Sequence, residues 1–199
     1  MPSPRRIGAP DAKNRTVLLD AAEKVMLEHG YAAVSSRRVA EQAGLKPQLV
    51  HYYFVNMDEM LEEVFRRRAE QGLEIQAKAL ASPQPLWALW RFSSDPSGVA
   101  LTMEFMAMSR HRPALRKLLA DYSERFRRDQ AEAIGVLLDR YGIAHEDFPP
   151  VVASVLTTSL SRVVVMEETL GFTLGHAETI ERVERWLVAV EGEWGRPRV

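Results

Sequence analysis

The sequence predicts an all-α protein, and three observations support that class. In several long segments apolar residues recur three and four positions apart, as on the buried face of a helix. No segment shows the apolar–polar alternation of a β-strand over a useful length. Residues 35–54 have the pattern of two short helices joined by a tight turn. With 199 residues, 46% of them apolar, the chain is long enough to bury a substantial core.

The segment 35–54 is the most informative part of the chain. Ser35 or Ser36 is suited to cap a helix that ends at Gly44, a residue that tolerates positive φ. Pro47 suits the first turn of a second helix. This second helix has one apolar face and one outward face, and the outward face has Pro47, Gln48, His51 and Tyr52. Such a helix can place side chains against base edges and phosphates in a major groove.

The remaining helices are predicted from periodicity and from helix-breaking residues. A long helix over 12–29 precedes the pair and stops at Gly30, and another, capped by Asn56 or Asp58, runs to about residue 81. A loop is predicted over 93–98. Further helices are predicted over 86–92, 99–109, 114–141, 151–170 and around 180–190, which gives about nine helices for the whole chain. The helix over 151–170 is nearly all apolar, so we expect it to be buried on most sides.

Charge divides the chain unevenly. Residues 1–57 have eight basic and five acidic residues, whereas the remainder has a balance of −4. A basic N-terminal part suits contact with a polyanion. We therefore predict a flexible basic tail over 1–11 and a helix-turn-helix DNA-binding domain over 12–57, followed by a body over 58–199.

The pattern over about residues 12–65 resembles the TetR family of transcriptional regulators. The resemblance depends on Gly30-Tyr31, Ser35/Ser36, Val39-Ala40, Ala43-Gly44-Leu45, Val50-His51-Tyr52-Tyr53-Phe54 and Asp58-Glu59-Met60-Leu61. It implies a dimer in which each subunit has a three-helix DNA-binding head and a helical-bundle body with a ligand cavity. It also implies that the last two long helices form the dimer interface, and that a small molecule bound in the body releases DNA. Residues 58–199 are therefore expected to form an effector-binding and dimerisation domain.

The chain departs from the family pattern in and just after the second short helix. His51 replaces the usual tyrosine, Tyr53 the usual histidine, and Gln48 a usual small residue. Met57 replaces a lysine that usually contacts a phosphate, so other basic residues are expected to supply that contact. Gln48 and His51 suggest an unusual operator preference.

The residues predicted to contact DNA include some that would contact phosphates and some that would contact base edges. Arg37 and Lys46 are expected to meet phosphates, and Gln48 can bond adenine at N6 and N7. For Tyr53, DNA contact and burial against the first long helix are equally consistent with the pattern. The full predicted set is Ser36, Arg37, Arg38, Lys46, Pro47, Gln48, His51, Tyr52 and Tyr53.

Aromatic residues and methionines are concentrated between residues 87 and 166, which suggests a cavity for a small hydrophobic effector. The alternative for each of them is ordinary core packing. Arg162, inside an apolar helix, needs a partner: a ligand anion, an acid such as Glu104, or the second subunit. The candidate lining residues are Trp87, Trp90, Met103, Phe105, Met106, Arg110, Tyr122, Phe126, Arg162 and Met166.

The last two helices together present more apolar surface than one small body easily buries, which favours a homodimer. The alternative is that both helices are internal to the monomer. The predicted interface residues are Val155, Leu156, Val163, Val183, Trp186, Leu187 and Val190.

Several classes of function lack their usual signals. The chain has no cysteine, its five histidines have no metal-ligand spacing, and neither a glycine-rich phosphate loop nor Gly-x-Ser-x-Gly occurs. We therefore expect a cytoplasmic protein that is not an enzyme, has no cofactor or metal, and does not enter a membrane. That it is a repressor is what the family resemblance implies. The main alternative is a DNA-binding regulator that needs no effector.

Overall fold

The computed structural model describes residues 13–146 and 148–196, so the predicted basic tail lies outside the described residues. Within these ranges the chain forms nine α-helices, one 3₁₀ turn and no strand, which confirms the all-α class. The elements are α1 (Lys13–His29), the 3₁₀ turn (Tyr31–Ala33), α2 (Ser36–Ala43), α3 (Pro47–Tyr53), α4 (Met57–Leu80), α5 (Pro85–Ser93), α6 (Pro96–Ser109), α7 (Pro113–Arg140), α8 (Pro150–Thr169) and α9 (His176–Glu191).

Most helix ends follow the local signals in the sequence. Asn56 Oδ1 accepts a hydrogen bond from the Glu59 amide at 2.8 Å, which makes Asn56 the cap of α4. The predicted loop over 93–98 is wrong from residue 96 onward, because Pro96 already belongs to α6. Asp95 Oδ2 accepts from the Gly98 amide at 2.6 Å, so the Asp95-Pro96 pair starts a helix where a break was expected.

The described chain forms two compact units, and α4, α6 and α7 each contribute to both. The first unit contains residues 13–70 and 101–119. Its core includes residues of α1 to α4 together with the C-terminal part of α6 and the first turns of α7; among them are Leu18, Val39, Val50, Phe54, Met60, Leu101, Phe105, Met108 and Leu115. The helix-turn-helix segment therefore packs in a unit that extends beyond residue 57.

The second unit contains residues 71–100 and 120–196. A buried polar chain crosses it: Gln130 Nε2 donates to Gln76 Oε1 at 2.8 Å, and Ser154 Oγ donates to Gln130 Oε1 at 2.8 Å. Gln76 Nε2 in turn donates to the Phe126 carbonyl at 3.2 Å. These bonds satisfy the buried amides and set the register of α4, α7 and α8 within this unit.

A second polar cluster fastens the end of α9 to the start of α5. The buried Glu191 carboxylate accepts from the Leu86 and Trp87 amides at 3.0 and 3.1 Å and from the Tyr141 hydroxyl at 2.8 Å. Burial, followed by the hydrogen bond and charge of Glu191, raises the pKa of Tyr141 to about 12. The Gln84 side chain donates to the Glu193 carbonyl at 2.7 Å and so holds the segment after α9.

The expectation that α8 is buried on most sides is wrong. Its fully buried residues are Ala153, Ser154, Ser161, Val164 and Val165, whereas bulkier apolar residues such as Leu156 face solvent. Within the described residues α8 is the one helix long and apolar enough to cross a membrane, a test that core helices of other proteins also pass. Only 28% of the most apolar 18-residue stretch of α8 is buried by the rest of the described chain.

Candidate nucleic-acid interface

The helix-turn-helix is built by short-range contacts. Ser35 Oγ accepts a hydrogen bond from the Arg38 amide at 3.3 Å and caps α2. Gly44 ends α2 with φ 64°, and the Leu45 amide donates to the Ala40 carbonyl at 2.9 Å. Pro47 then occupies the first turn of α3. This turn sets the angle at which α3 leaves α2.

α3 has the two faces that its sequence predicts. Val50 is 1% exposed and packs in the core of the first unit, as does Phe54 just after the helix. Pro47, Gln48, His51 and Tyr52 are exposed, Tyr52 by 46%. The outward side chains are therefore free to reach base edges and phosphates.

Tyr53 differs from its prediction as a DNA contact. It is only 8% exposed and lies in the core of the first unit. Its ring contacts that of Tyr52 edge-on, with 4.9 Å between the centroids. Tyr53 lies three positions after the buried Val50 and therefore shares its inward face, where it supports Tyr52 instead of facing outward.

The basic residues of this face differ from those arginines of the same unit that form ion pairs. Arg37, Arg38 and Lys46 are exposed, and their side chains form no ion pair within the described ranges. By contrast, Arg67 binds Asp20 at 2.7 Å and Arg15 lies 3.5 Å from Glu63. The cations on α2 and at the start of α3 are thus free to meet phosphates.

A solvent-open depression of about 720 Å³ adjoins α2. Ser36, at the start of α2, is half-buried beside it. Two residues that line this depression, Arg37 and Arg38, belong to the predicted DNA contacts. The other lining residues are not predicted to contact DNA, because the sequence has no distinctive signal for such a role there. The lining residues are His29, Ser35, Arg37, Arg38, Glu41 and Gln42.

The predicted effector residues lie in both units. Phe105 is 1% exposed and packs in the core of the first unit, 5.1 Å from the Phe65 ring centroid, which corrects its assignment to a cavity. In the same unit Met103, Met106 and Arg110 are exposed.

In the second unit Trp87 and Trp90 are buried in a cluster with Leu86, Leu137 and Leu187. The Trp87 indole N–H donates to the Gly192 carbonyl at 2.9 Å. Tyr122, Phe126 and Met166 are half-buried.

Arg162 is surface-accessible on α8 and has no ion-pair partner among the described residues. Burial of part of the side chain lowers its pKa, and the positive charge of Arg127 lowers it further. Glu104, one of the partners considered for it, accepts a hydrogen bond from the Tyr31 amide instead. That assignment of Glu104 is corrected.

The residues predicted for the dimer interface divide into exposed, half-buried and buried ones. Leu156, Val163 and Trp186 are exposed by 52%, 42% and 42%, and Val155 is half-buried. Leu187 is only 3% exposed, inside the core of its own unit, so we withdraw it from the interface. Val183 and Val190 are half-buried and pack against that same core.

Comparison with known proteins agrees with this geometry. Residues 18–64, which cover α2 and α3, match the family model described as bacterial regulatory proteins, tetR family. The HTH-type transcriptional regulator BetI of Rhizobium meliloti is 31% identical over 122 residues, which cover 57% of this chain and 60% of BetI. The BetI of Agrobacterium fabrum is 30% identical over 122 residues, 57% of this chain and 59% of that protein. The alignment thus spans about three fifths of the curated relatives' length.

Solved structures share the fold. A transcriptional regulator from Saccharomonospora viridis, in complex with choline, superposes with a TM-score of 0.68 at 21% identity, covering 81% of this chain and 90% of its own. A regulator from Rhodococcus sp. RHA1 gives a TM-score of 0.67 at 22% identity, covering 89% and 94%. The helix-turn-helix and the matched N-terminal model show that residues 18–64 form a domain of the tetR family of bacterial regulatory proteins, and the described chain shares its helical fold with these solved regulators.

Proposed function

We propose that the protein is a transcriptional repressor that acts as a homodimer. Each subunit would contact double-stranded operator DNA through α2 and α3. The observation that carries the proposal is the exposed face on which Gln48, His51 and Tyr52 point outward beside three cations free of intramolecular ion pairs. Groove-facing polar side chains supply base readout, and the cations supply phosphate contacts.

Two substitutions separate these roles. Gln48→Ala should cost about 1–3 kcal/mol on the true operator and relax the preference at one base. Lys46→Ala should weaken binding to all sequences alike and reduce the slope of log K against log salt by about one. Exposed residues of the same type on α4 provide matched controls, Gln71→Ala and Lys78→Ala.

Titrations of each variant on operator and scrambled duplexes at several salt concentrations measure both effects. Equal affinities for Gln48→Ala and Gln71→Ala on the operator would refute base reading by α3. Loss of affinity in the Lys78 control as large as in Lys46→Ala would refute the placement of the phosphate contacts.

The exposed face of α8 supports the homodimer. Val152, Leu156, Val163 and Leu170 are exposed by 41%, 52%, 42% and 76%, and with Ser159 and Met166 they follow alternating spacings of four and three. This is the spacing of a seam against another helix. A second copy of the chain would cover it and would match a two-fold symmetric operator.

Leu156→Glu tests this seam, because it places a charge in the middle of the exposed stripe. We expect it to convert a dimer to a monomer by light scattering at micromolar concentration. Val136→Glu on α7 is the matched control, since Val136 is 65% exposed and off the stripe. A wild-type protein that is monomeric under these conditions would contradict the proposed dimer.

We further propose that a small organic effector bound by the second unit releases the DNA. The half-buried Tyr122, Phe126 and Met166, together with the partly desolvated Arg162, supply apolar surface and one polar anchor in that unit. The S. viridis regulator, whose fold is similar, binds choline. Choline and apolar acids are therefore the first two classes of compound to test.

The test is release of a labelled operator on addition of each compound, paired with the shift in melting temperature. An effector that binds the DNA-free state should raise Tm and lower operator affinity together. A regulator that needs no effector would instead keep its operator through the whole panel, and that result would favour the alternative.

A further inference from the structure

The chain just before α2 is held by a residue from a distant part of the sequence. Glu104, on α6, accepts a hydrogen bond from the Tyr31 amide at 2.6 Å, across 73 positions. Tyr31 begins the 3₁₀ turn that leads from α1 into α2. Gly30, directly before it, has φ 76°, and a Cβ built there would lie 3.7 Å from a Glu104 carboxylate oxygen. The carboxylate thus contacts the chain where its direction changes.

The chain just after α3 is held in a similar way. Arg112 Nε donates to Asp58 Oδ1 at 2.8 Å. Asp58 lies in the first turn of α4, immediately after the helix-turn-helix, and Arg112 lies between α6 and α7. These two tethers, Glu104–Tyr31 and Arg112–Asp58, therefore meet the chain on either side of α2 and α3.

Both tethers extend from a segment with a fixed position in the first unit. Leu101, Phe105 and Met108 of α6 are 3%, 1% and 1% exposed and belong to the same core as α1 to α4. Because this part of α6 is packed in the core, it has already lost much of its conformational freedom. A hydrogen bond from it therefore restrains the bonded group more than a hydrogen bond from a mobile side chain would. The segment 101–112 can thus restrain the entry to α2 and the exit from α3 together.

We propose that Glu104 and Arg112 are positioning residues that hold α2 and α3 in the orientation needed for DNA, from outside the helix-turn-helix. This inference rests on the proposed DNA-binding function. A displacement of the segment 101–112 would release both ends of the helix-turn-helix at once, whereas the base-reading residues themselves would be untouched. Operator affinity would then depend on residues that touch no DNA.

The test compares Glu104→Ala with Glu104→Gln in the full chain. Alanine removes the acceptor, and we expect operator affinity to fall about 3–10-fold, the range of one hydrogen bond. Glutamine keeps an acceptor oxygen and should stay within about twofold of wild type. Hydrogen exchange over residues 31–36 should be at least threefold faster in the alanine variant, with exchange in α1 unchanged.

Arg112→Ala should weaken operator binding by up to about fivefold, because the pair is partly exposed. Arg116→Ala is the matched control, an exposed residue of α7 that should leave affinity unchanged. Operator affinity unchanged in Glu104→Ala, or a loss in Glu104→Gln as large as in Glu104→Ala, would overturn the proposal.

The two hypotheses fail in different ways. If the wild-type chain selects no duplex, the proposed function is wrong and the positioning role for DNA is wrong with it. Hydrogen exchange needs no DNA, so it still decides whether Glu104 orders the entry to α2. If exchange over 31–36 is the same in the alanine variant and wild type, the tether is refuted independently of DNA binding.

Discussion

Replacement of Glu191 by alanine gives the strongest stability test of the second unit. The side chain is 3% exposed, and its carboxylate accepts three hydrogen bonds, from the amides of Leu86 and Trp87 and from the hydroxyl of Tyr141. The two amides belong to the first turn of α5, where amides have no partner within the helix. A negative charge there also faces the positive end of the helix dipole.

Alanine at this position would leave two buried amides and the partly buried Tyr141 hydroxyl without this acceptor. Each orphaned donor costs about 1–3 kcal/mol, and because neighbouring losses are not additive we expect a total of about 3–5 kcal/mol. Glutamine keeps one acceptor oxygen but removes the charge, so a loss of about 1–3 kcal/mol is expected. In a chain of this size 1 kcal/mol shifts Tm by about 2–4 °C, which places the alanine variant roughly 6–20 °C below wild type.

Thermal unfolding followed by circular dichroism measures the three proteins side by side. The matched control is Glu193→Ala, because that carboxylate is exposed and only pairs with Arg196 at 3.5 Å. The control should stay within about 0.5 kcal/mol of wild type. A Tm for Glu191→Ala within 2 °C of the control would refute the view that this carboxylate caps α5 and completes the cluster.

Three further substitutions test single features of the fold. Burial, and then Glu191, raise the pKa of Tyr141 from 10.0 to about 12, so the folded state favours the neutral phenol. The stability that this group contributes should be full below pH 10 and should decline as the pH rises toward 12. Tyr141→Phe should lose this component of the pH dependence of Tm. Gly72→Ala would place a Cβ 2.9 Å from the Phe126 ring and should cost about 1–3 kcal/mol in thermal unfolding, so an unchanged Tm would show that the ring moves freely. Gly44→Ala meets no atom within 4 Å but keeps φ at +64°, so its expected cost of about 1 kcal/mol comes from backbone strain, and a stabilised variant would contradict that reason.

The parts of the site that could be predicted from sequence are those set by near neighbours. Ser35 caps α2 through an amide three residues on, and Gly44 ends it through its own backbone freedom. The spacing of Val50 and Gln48 separates the two faces of α3 without reference to any other helix. The outward face proposed for DNA was therefore predictable, and so were most helix boundaries.

Apart from the local Asp95-Pro96 helix start, several errors came where a distant partner decides the outcome. Tyr53 and Phe105 are suited by composition to either a contact surface or a core, and packing against other helices decided for the core in both. Glu104 was considered as a partner for Arg162, yet it meets the Tyr31 amide, 73 positions away. Spacing along the sequence carries no information on such a contact, because backbone amides are present at nearly every residue.

The proposed protein partner on the exposed face of α8 is supported by the neighbours of this helix in the second unit. The buried side of α8 has small residues, and Ser154 there bonds Gln130 of α7. α7 has Arg127 and Arg128 exposed, and lipid around such a helix would leave those charges without water. These exposed charges on the helix that α8 packs against favour water and a protein partner over lipid around α8. Bulky apolar side chains at spacings of four and three on its exposed face match a partner helix, and a second copy of α8 has the same spacing to offer.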